Sequence, residues 1–347
     1  MSLTKKGVYA GRNMVEIDLK DRKILYQLDL NCRQSNAQIG KRVGLSKQVV
    51  DYRIKRMEVE GIITGYWTNI DSYRFGYQVY RYYLVTQNVT SSKKDEMILR
   101  IADYKNTWVA CGLKGNYDLD AIIWVKNIPE FYQFWDKFNE EYGDYIAEKI
   151  FSVYLEADVY PLSFLLGDEY PKKDRQNPQH NGLMNPISIT EEDGILLKEI
   201  ADNGRISLVD LADKLHCSSQ AVHYRLKQLQ EKGIIQGFHI GIDIKKLGYE
   251  HYKVDIWLKE LSKRREIRKY IQENPHVTFI NTSAGYADLE IEFNIVNLDK
   301  LIGYMDELQA KFPNAIRKFI YFSGLVPGQI NKLRCFPEMT EADFKKT

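Results

Sequence analysis

SNAQIGKRVGLSKQVVDYRIKRMEVEGIITGY, residues 35–66, lies against SLVDLADKLHCSSQAVHYRLKQLQEKGIIQGF, residues 207–238, at a constant offset of 172 positions. The register runs without a gap from Ile17/Ile189 to Tyr77/Tyr249. It carries identities such as Asp21/Asp193, Arg33/Arg205, Ser46/Ser218, Gln48/Gln220, Tyr52/Tyr224, Arg53/Arg225, Lys55/Lys227 and Gly61/Gly233. So long an ungapped match is an internal duplication, and a repeat must be recognised before any single element is assigned. Downstream, GNYDLDAIIWV from Gly115 answers GYADLEIEFNI from Gly285 with a small change of register. Between the copies, residues 167–187 (GDEYPKKDRQNPQHNGLMNPI) are rich in Pro, Asn, Gly and charge, and predict an exposed linker.

Within the first copy, Ile24, Leu25 and Leu28 form one helical stripe over about residues 20–30. Ser35 is placed to cap a short helix over 36–43, and Ser46 a third helix to about Glu60, with Gly61 as its stop. Three short helices with a tight turn before the third predict a helix-turn-helix. The following IITGYWTNI suits a wing or a connecting strand.

The third helix reads face by face. Val50, Ile54 and Met57, like Val222, Leu226 and Leu229, recur at core spacing. Gln48, Tyr52 and Lys55 fall on the opposite face and return as Gln220, Tyr224 and Lys227. Gln can read an adenine edge, Lys a phosphate or guanine, and a Tyr hydroxyl a phosphate. The expected DNA-facing set is Ser46, Lys47, Gln48, Tyr52, Arg53, Lys55 and Arg56, with Ser218, Ser219, Gln220, His223, Tyr224, Arg225 and Lys227 in the second copy. Arg53 and Arg225 flank the buried stripe, where they either clamp a phosphate or pair with an acid. Residues 17–66 carry ten Lys and Arg against six Asp and Glu, while residues 189–238 carry six against eight. Nonspecific affinity follows the phosphates neutralised, so the first copy is expected to grip DNA more strongly.

The rest of each unit alternates strand, helix, strand, strand, helix, strand: βαββαβ, the ferredoxin-like (ACT-like) order. The expected fold is therefore α+β in two tandem units. Helix-turn-helix (winged-helix-like) domains span 15–66 and 187–238, α+β sensor and dimerisation domains span 67–166 and 239–335, and 167–186 links the copies.

Net charge is only +2 over 347 residues, so no global basic field announces nucleic acid and the signal must be local. No apolar run of about 18 residues indicates a membrane span, and the first residues lack an apolar signal core. Cys32, Cys111, Cys217 and Cys335 are far apart, which suits a reduced, cytoplasmic protein without a metal site or cofactor.

The joint order of Ser46-Val50-Arg53-Ile54, Gly61-Ile62-Ile63-Thr64-Gly65-Tyr66 and Gly115-Asn116-Tyr117-Asp118, repeated as Ser218-Val222-Arg225-Leu226, Gly233-Ile234-Ile235-Gln236-Gly237-Phe238 and Gly285-Tyr286-Ala287-Asp288, resembles the Lrp/AsnC (feast/famine) regulators. The likeness covers roughly 17–160 and 189–325. It implies a sequence-specific transcription regulator on double-stranded DNA, modulated by an amino acid or similar effector between sensor domains. It also implies a homo-oligomer. Typical members carry one unit, so here the copies pair either within one chain or between two. The resemblance places the effector at Gly115, Tyr117, Asp118, Gly285, Tyr286 and Asp288, with the two Asp carboxylates meeting an ammonium. An Asp after a hairpin Gly is also ordinary turn chemistry.

Two other readings stand beside it. Sirohaem decarboxylases resemble the same family and are expected to cluster His and Arg in the α+β domain. Here none of His180, His216, His223, His239, His251 and His276 lies in the first such domain, and in the second His251 and His276 are widely separated in sequence, so no enzyme is expected. A low-specificity architectural DNA-binding protein is the third reading.

Overall fold

A computed structural model describes residues 15–182, 185–324, 332–339 and 344. Its helices begin where the sequence supplies caps. Ser35 accepts from the Gln38 amide while Gln38 reaches back to the Ser35 amide, starting α2 (Asn36–Val43). Ser46 caps α3 (Lys47–Val59) on the Val49 amide, and Asp18 caps α1 (Leu19–Leu30) on the Asp21 amide. The first unit continues through β1 (Ile63–Ile70), β2 (Gln78–Thr86), α4 (Ser91–Ala102), β3 (Thr107–Lys114), β4 (Leu119–Val125), α5 (Ile128–Tyr142) and β5 (Ile146–Val159). After β6 (Gln179–Gly182), the second unit repeats the order. Its members are α6 (Glu191–Ala201), α7 (Leu208–Lys214), α8 (Ser219–Glu231), β7 (Ile235–Ile242), β8 (Glu250–Leu258), α9 (Arg264–Gln272), β9 (Val277–Ala284), β10 (Leu289–Ile295), α10 (Leu298–Lys311) and β11 (Ile316–Gly324). β12 (Lys332–Leu333) adds to the edge of β3.

The two copies pair within the one chain, about a pseudo-two-fold axis legible in the register. β1 runs antiparallel to β7 with Tyr66 opposite Ile240, Trp67 opposite His239 and Thr68 opposite Phe238. His239 is the repeat partner of Trp67, so the axis passes between these two rings, which stack at 4.6 Å. Flanking hydrogen bonds come in equivalent pairs: Cys32 N to Phe238 O with Gly204 N to Tyr66 O, and Asp71 N to Ile234 O with Asp243 N to Ile62 O. Both helix-turn-helix units consequently share one hydrophobic core, in which Ile24, Leu28 and Met57 join Leu196, Ile200 and Leu229.

The sensor strands follow the ferredoxin order in each copy, β5-β2-β4-β3 and β11-β8-β10-β9. The copies join twice: β5 pairs β9 with Val153 opposite Ala284, and β11 pairs β3 with Ser323 opposite Lys114. These are the same pairing carried through the repeat, and together they close eight strands on themselves. Closure leaves no open edge at either junction. Even-numbered residues of β2 and β8 (Tyr82, Leu84; Val254, Ile256) pack outward into the cores beneath α4/α5 and α9/α10. Odd-numbered residues face the interior of the ring.

The segment between the copies is exposed over much of its length, as its composition predicts, but is pinned at Arg175 and β6. Arg175 is 2% exposed. Its guanidinium donates to the carbonyls of Gln272, Val277 and Pro161 at 2.7, 2.8 and 3.1 Å. β6 then pairs with β5. A buried arginine that satisfies three backbone acceptors looks, in composition, the same as a solvated one.

Ring closure also explains one glycine. Gly115 has φ +133°, and a Cβ there would stand 2.8 Å from Phe322 Cβ. Gly65 has open space around it. Gly115→Ala is expected to lower unfolding stability by about 2 kcal/mol or more, from strain plus overlap. Gly65→Ala is expected to change it by less than about 0.5 kcal/mol. Chemical denaturation of the two variants checks the contrast.

Candidate nucleic-acid interface and ligand cavity

α3 turns Val50, Ile54 and Met57 into the core and leaves Ser46, Lys47, Gln48, Tyr52 and Lys55 exposed. α8 does the same with Val222, Leu226 and Leu229 inward, and Gln220, His223, Tyr224 and Lys227 outward. Tyr52 and Tyr224 are 67% and 63% exposed, far more than a ring retained for packing requires. Ser46 and Ser218 accept the Val49 and Ala221 amides, so their hydroxyls start the helices as well as lying on that surface. Ser219 is half-buried. Lys55 and Lys227 meet only neighbours one turn away, Asp51 at 2.9 Å and Glu231 at 3.6 Å, pairs that water screens strongly.

The flanking arginines are engaged with acids. Arg53 Nη1 donates to Asp18 and to Asp21, whose carboxylate is 1% exposed, and Arg56 Nη2 donates to the other Asp21 oxygen at 2.6 Å. Arg225 repeats the contact on Asp193 at 2.9 Å. In both copies this bond ties the third helix to the first, the acid pairing being one of the two alternatives that the sequence leaves open. Arg53 and Arg225 position the exposed face.

The two Gly-x-x-Asp turns are also satisfied internally. Asp118 accepts from the Thr86 amide and hydroxyl at 2.7 and 2.9 Å and from Lys94, and these bonds outweigh burial to hold its carboxyl below the usual range. Asp288 accepts from the Leu258 amide at 2.7 Å. Tyr117 and Tyr286 are hydrogen bonded hydroxyl to hydroxyl across the copies and pack with Tyr83 and Phe322. Gly115 and Gly285 lie against Phe322 and Phe151 of the opposite copy.

Above this aromatic plug the ring interior is charged. Arg81, 1% exposed, donates in bidentate fashion to Asp120, and also to Tyr154 and to Glu290 at 2.9 Å. Its repeat partner Lys253 donates to Glu292 at 3.0 Å. Lys253 beside Glu292 outweighs burial and holds that carboxyl down at about 2. Asp255 takes the opposite course: full burial, then the Glu290 charge, pushes it up to about 8. Asp255 is therefore the carboxyl of this layer that stays protonated at neutral pH. Sequence reading passed over this network. Its signal was present, because Arg81 and Lys253 stand at the same repeat position inside strands whose neighbouring residues are buried.

Above the charged layer opens a cavity of about 350 Å³. β1 closes it on one side through Trp67, Asn69 and Ile70, with Asn181 of β6, and Trp108 and Trp124 stack at 5.4 Å in its wall. The structure brings His251 into that wall beside Lys253 and Arg81, whereas His276 turns to the Asn294 carbonyl. Among the described residues, no three His, Cys, Asp or Glu are grouped to hold a metal ion, and no helix is long and apolar enough to cross a membrane.

Two outcomes follow. Arg53→Ala is expected to lower stability by about 2 kcal/mol, because the buried Asp21 loses one of its two cationic partners; a denaturant midpoint unchanged from wild type contradicts the lock. For Asp255, the folded value lies above the unfolded one of about 4, so stability is full below pH ~4 and declines as pH rises toward 8. Asp255→Asn stays neutral. It is expected to raise Tm by about 3 °C or more at pH 8 and to change it little at pH 4.5.

Comparison with known proteins agrees with this geometry. The winged helix-turn-helix DNA-binding family matches residues 17–64 and 193–236. The HTH-type transcriptional regulator Ptr1 of Methanocaldococcus jannaschii is 30% identical over 135 residues, 39% of this chain and 82% of that protein. The HTH-type transcriptional regulator LrpA of Pyrococcus horikoshii is 35% identical over 97 residues, 28% of this chain and 69% of that protein. Among solved structures, the siroheme decarboxylase NirDL superposes with a TM-score of 0.58 at 14% identity, over 88% of this chain and 90% of that one, a likeness of fold alone. Two matched DNA-binding units and regulators aligned over most of their own length place the chain in the Lrp/AsnC family of helix-turn-helix transcriptional regulators.

Proposed function

We propose that the chain is a sequence-specific DNA-binding regulator whose two recognition helices, α3 and α8, act as a built-in pseudo-dimer. The observation that carries this reading is the twin exposed face, Gln48-Tyr52-Lys55 and Gln220-Tyr224-Lys227, held outward in both copies while each flanking arginine is locked to an acid. A pseudo-two-fold pair of such helices matches a two-half-site operator. In this division residues 15–66 and 187–238 bind DNA, and residues 67–166 and 239–335 form the sensor ring. A small effector between the sensor units, cytoplasmic residence and association of whole chains into a homo-oligomer belong to the same proposal. Asp118 becomes an effector contact by exchanging its present partners, whereas Asp288 keeps acceptor capacity beside its bond from the Leu258 amide.

The fold likeness to a siroheme decarboxylase motivates an enzymatic alternative, and the ring chemistry weighs against it. In the cavity Arg81 and Lys253 are each paired to a carboxylate, Asp120 and Glu292, so a polycarboxylate macrocycle meets as much negative as positive charge. Absorbance after incubation with a haem precursor separates the two readings: a bound-pigment spectrum at stoichiometric protein supports the enzyme.

Footprinting on the native upstream region, with and without a panel of amino acids, tests the regulator. A discrete protected site with two half-sites is expected; no discrete site under any ligand refutes it. Lys55→Ala is expected to weaken DNA binding and to reduce the salt slope by about 1. Because the first DNA-binding unit is the more basic, Lys227→Ala is expected to cost less, and equal losses would contradict the asymmetry.

A further inference from the structure

The duplication places equivalent residues on two walls of one cavity, and there the copies have diverged in chemistry. Where the first copy presents Val79, Cys111 and Ile122, the second presents His251, Asn281 and Glu292 at the same repeat positions. The first wall continues in the stacked Trp108 and Trp124. The second continues in Lys253, whose ammonium is paired to Glu292. Val109 and Phe279 are equivalent and apolar on both sides. The cavity therefore has one wall that is apolar in the first copy and polar in the second, beside a charged floor in which the Arg81–Asp120 and Lys253–Glu292 pairs cancel.

A second observation indicates what the polar half lacks. Asn181 reaches the cavity from β6 and donates to Asn69 Oδ1 at 2.7 Å, while Asn69 donates in turn to Gln179 at 3.0 Å. Among the described residues, Asn181 Oδ1 is buried with no hydrogen-bond partner. An orphaned buried acceptor is costly, and a ligand N–H or O–H relieves that cost once the Asn181 side chain shifts to present its oxygen to the cavity.

We infer that the cavity binds a small amphipathic molecule with an aromatic-sized apolar body and a compact, net-neutral, hydrogen-donating head. The body lies against the Val79–Ile122–Trp124 wall of the first copy, and the head lies against Asn181, Asn281 and the Lys253–Glu292 pair. A volume of about 350 Å³ falls in the range of small-molecule sites. An anionic head meets Glu292 and supplies no proton to Asn181. The roof of the cavity is β1, whose Thr68 hydroxyl donates to Ile200 of α6 at 2.6 Å, so an occupant touches the strand that joins both DNA-binding units. This deepens the effector control proposed above, and it rests on that proposal for its link to DNA.

The test uses the full chain and three probes with one body: phenylacetamide, L-phenylalanine and phenylacetate. Calorimetry and thermal shift should show the two neutral-headed probes binding at least about tenfold more tightly than phenylacetate, and raising Tm with concentration. Val109→Phe and Ile122→Phe each fill the cavity and should abolish binding, with folding verified by circular dichroism; two variants guard against one failing to fold. Asn181→Leu should weaken the neutral-headed probes several-fold. Absence of binding by all three probes, equal or tighter binding of phenylacetate, or unchanged binding in the folded cavity-filling variants overturns the inference. Footprinting of the ligand-free wild type reports separately on DNA recognition, so failure of the ligand site and failure of the regulator reading are distinguishable.

Discussion

The antiparallel pairing of β1 with β7 is the constraint on which the rest of the molecule depends. It puts Trp67 opposite its own repeat partner His239, and so fixes a pseudo-two-fold axis inside a single chain. A two-stranded ribbon alone is only marginally stable in water. Here α1 packs on β7 and α6 on β1, so each DNA-binding unit completes the other's core. The same axis repeats in the sensor units, where β5–β9 and β11–β3 are one junction used twice.

Closing eight strands with helices on the outside has an energetic consequence. The outward strand faces are apolar and pack under α4, α5, α9 and α10. The inward faces are narrowed by the closure and filled in layers: an aromatic plug of Tyr83, Tyr117, Phe322 and Tyr286, a charged layer around Arg81, and the cavity beneath β1. Buried ion pairs contribute little net stability. Their value here is positional, since Arg81 of the first copy binds both Asp120 and, across the junction, Glu290 of the second.

Fusion of two units releases the copies from identity. In an oligomer of single units, every substitution appears on both sides of the axis. In this chain one wall of the cavity has become apolar and the other polar, and one DNA-binding unit basic and the other slightly acidic. The Gln-Tyr-Lys face and the arginine lock are kept on both sides, because each recognition helix must be held in the same orientation.

Much of this was legible in the residues themselves. Caps, periodicity and turn glycines are local, so α2 begins after Ser35, α3 after Ser46, and each sensor unit keeps its βαββαβ order, as the sequence alone determines. The constant 172-residue offset likewise determines that whatever one unit does, the other does in the same frame. Only the tertiary structure decided which copy pairs with which, because strand edges find partners through space and an intrachain junction has the same local pattern as an interchain one. It also decided that Arg53 and Arg225 face acids, that Arg175 is buried in a segment composed like a linker, and that the Gly-x-x-Asp turns are packed against the opposite copy. The interior site lay outside local reading for the same reason: Arg81, His251, Asn181 and Glu292 are far apart in sequence, and only closure of the ring brings them to one cavity.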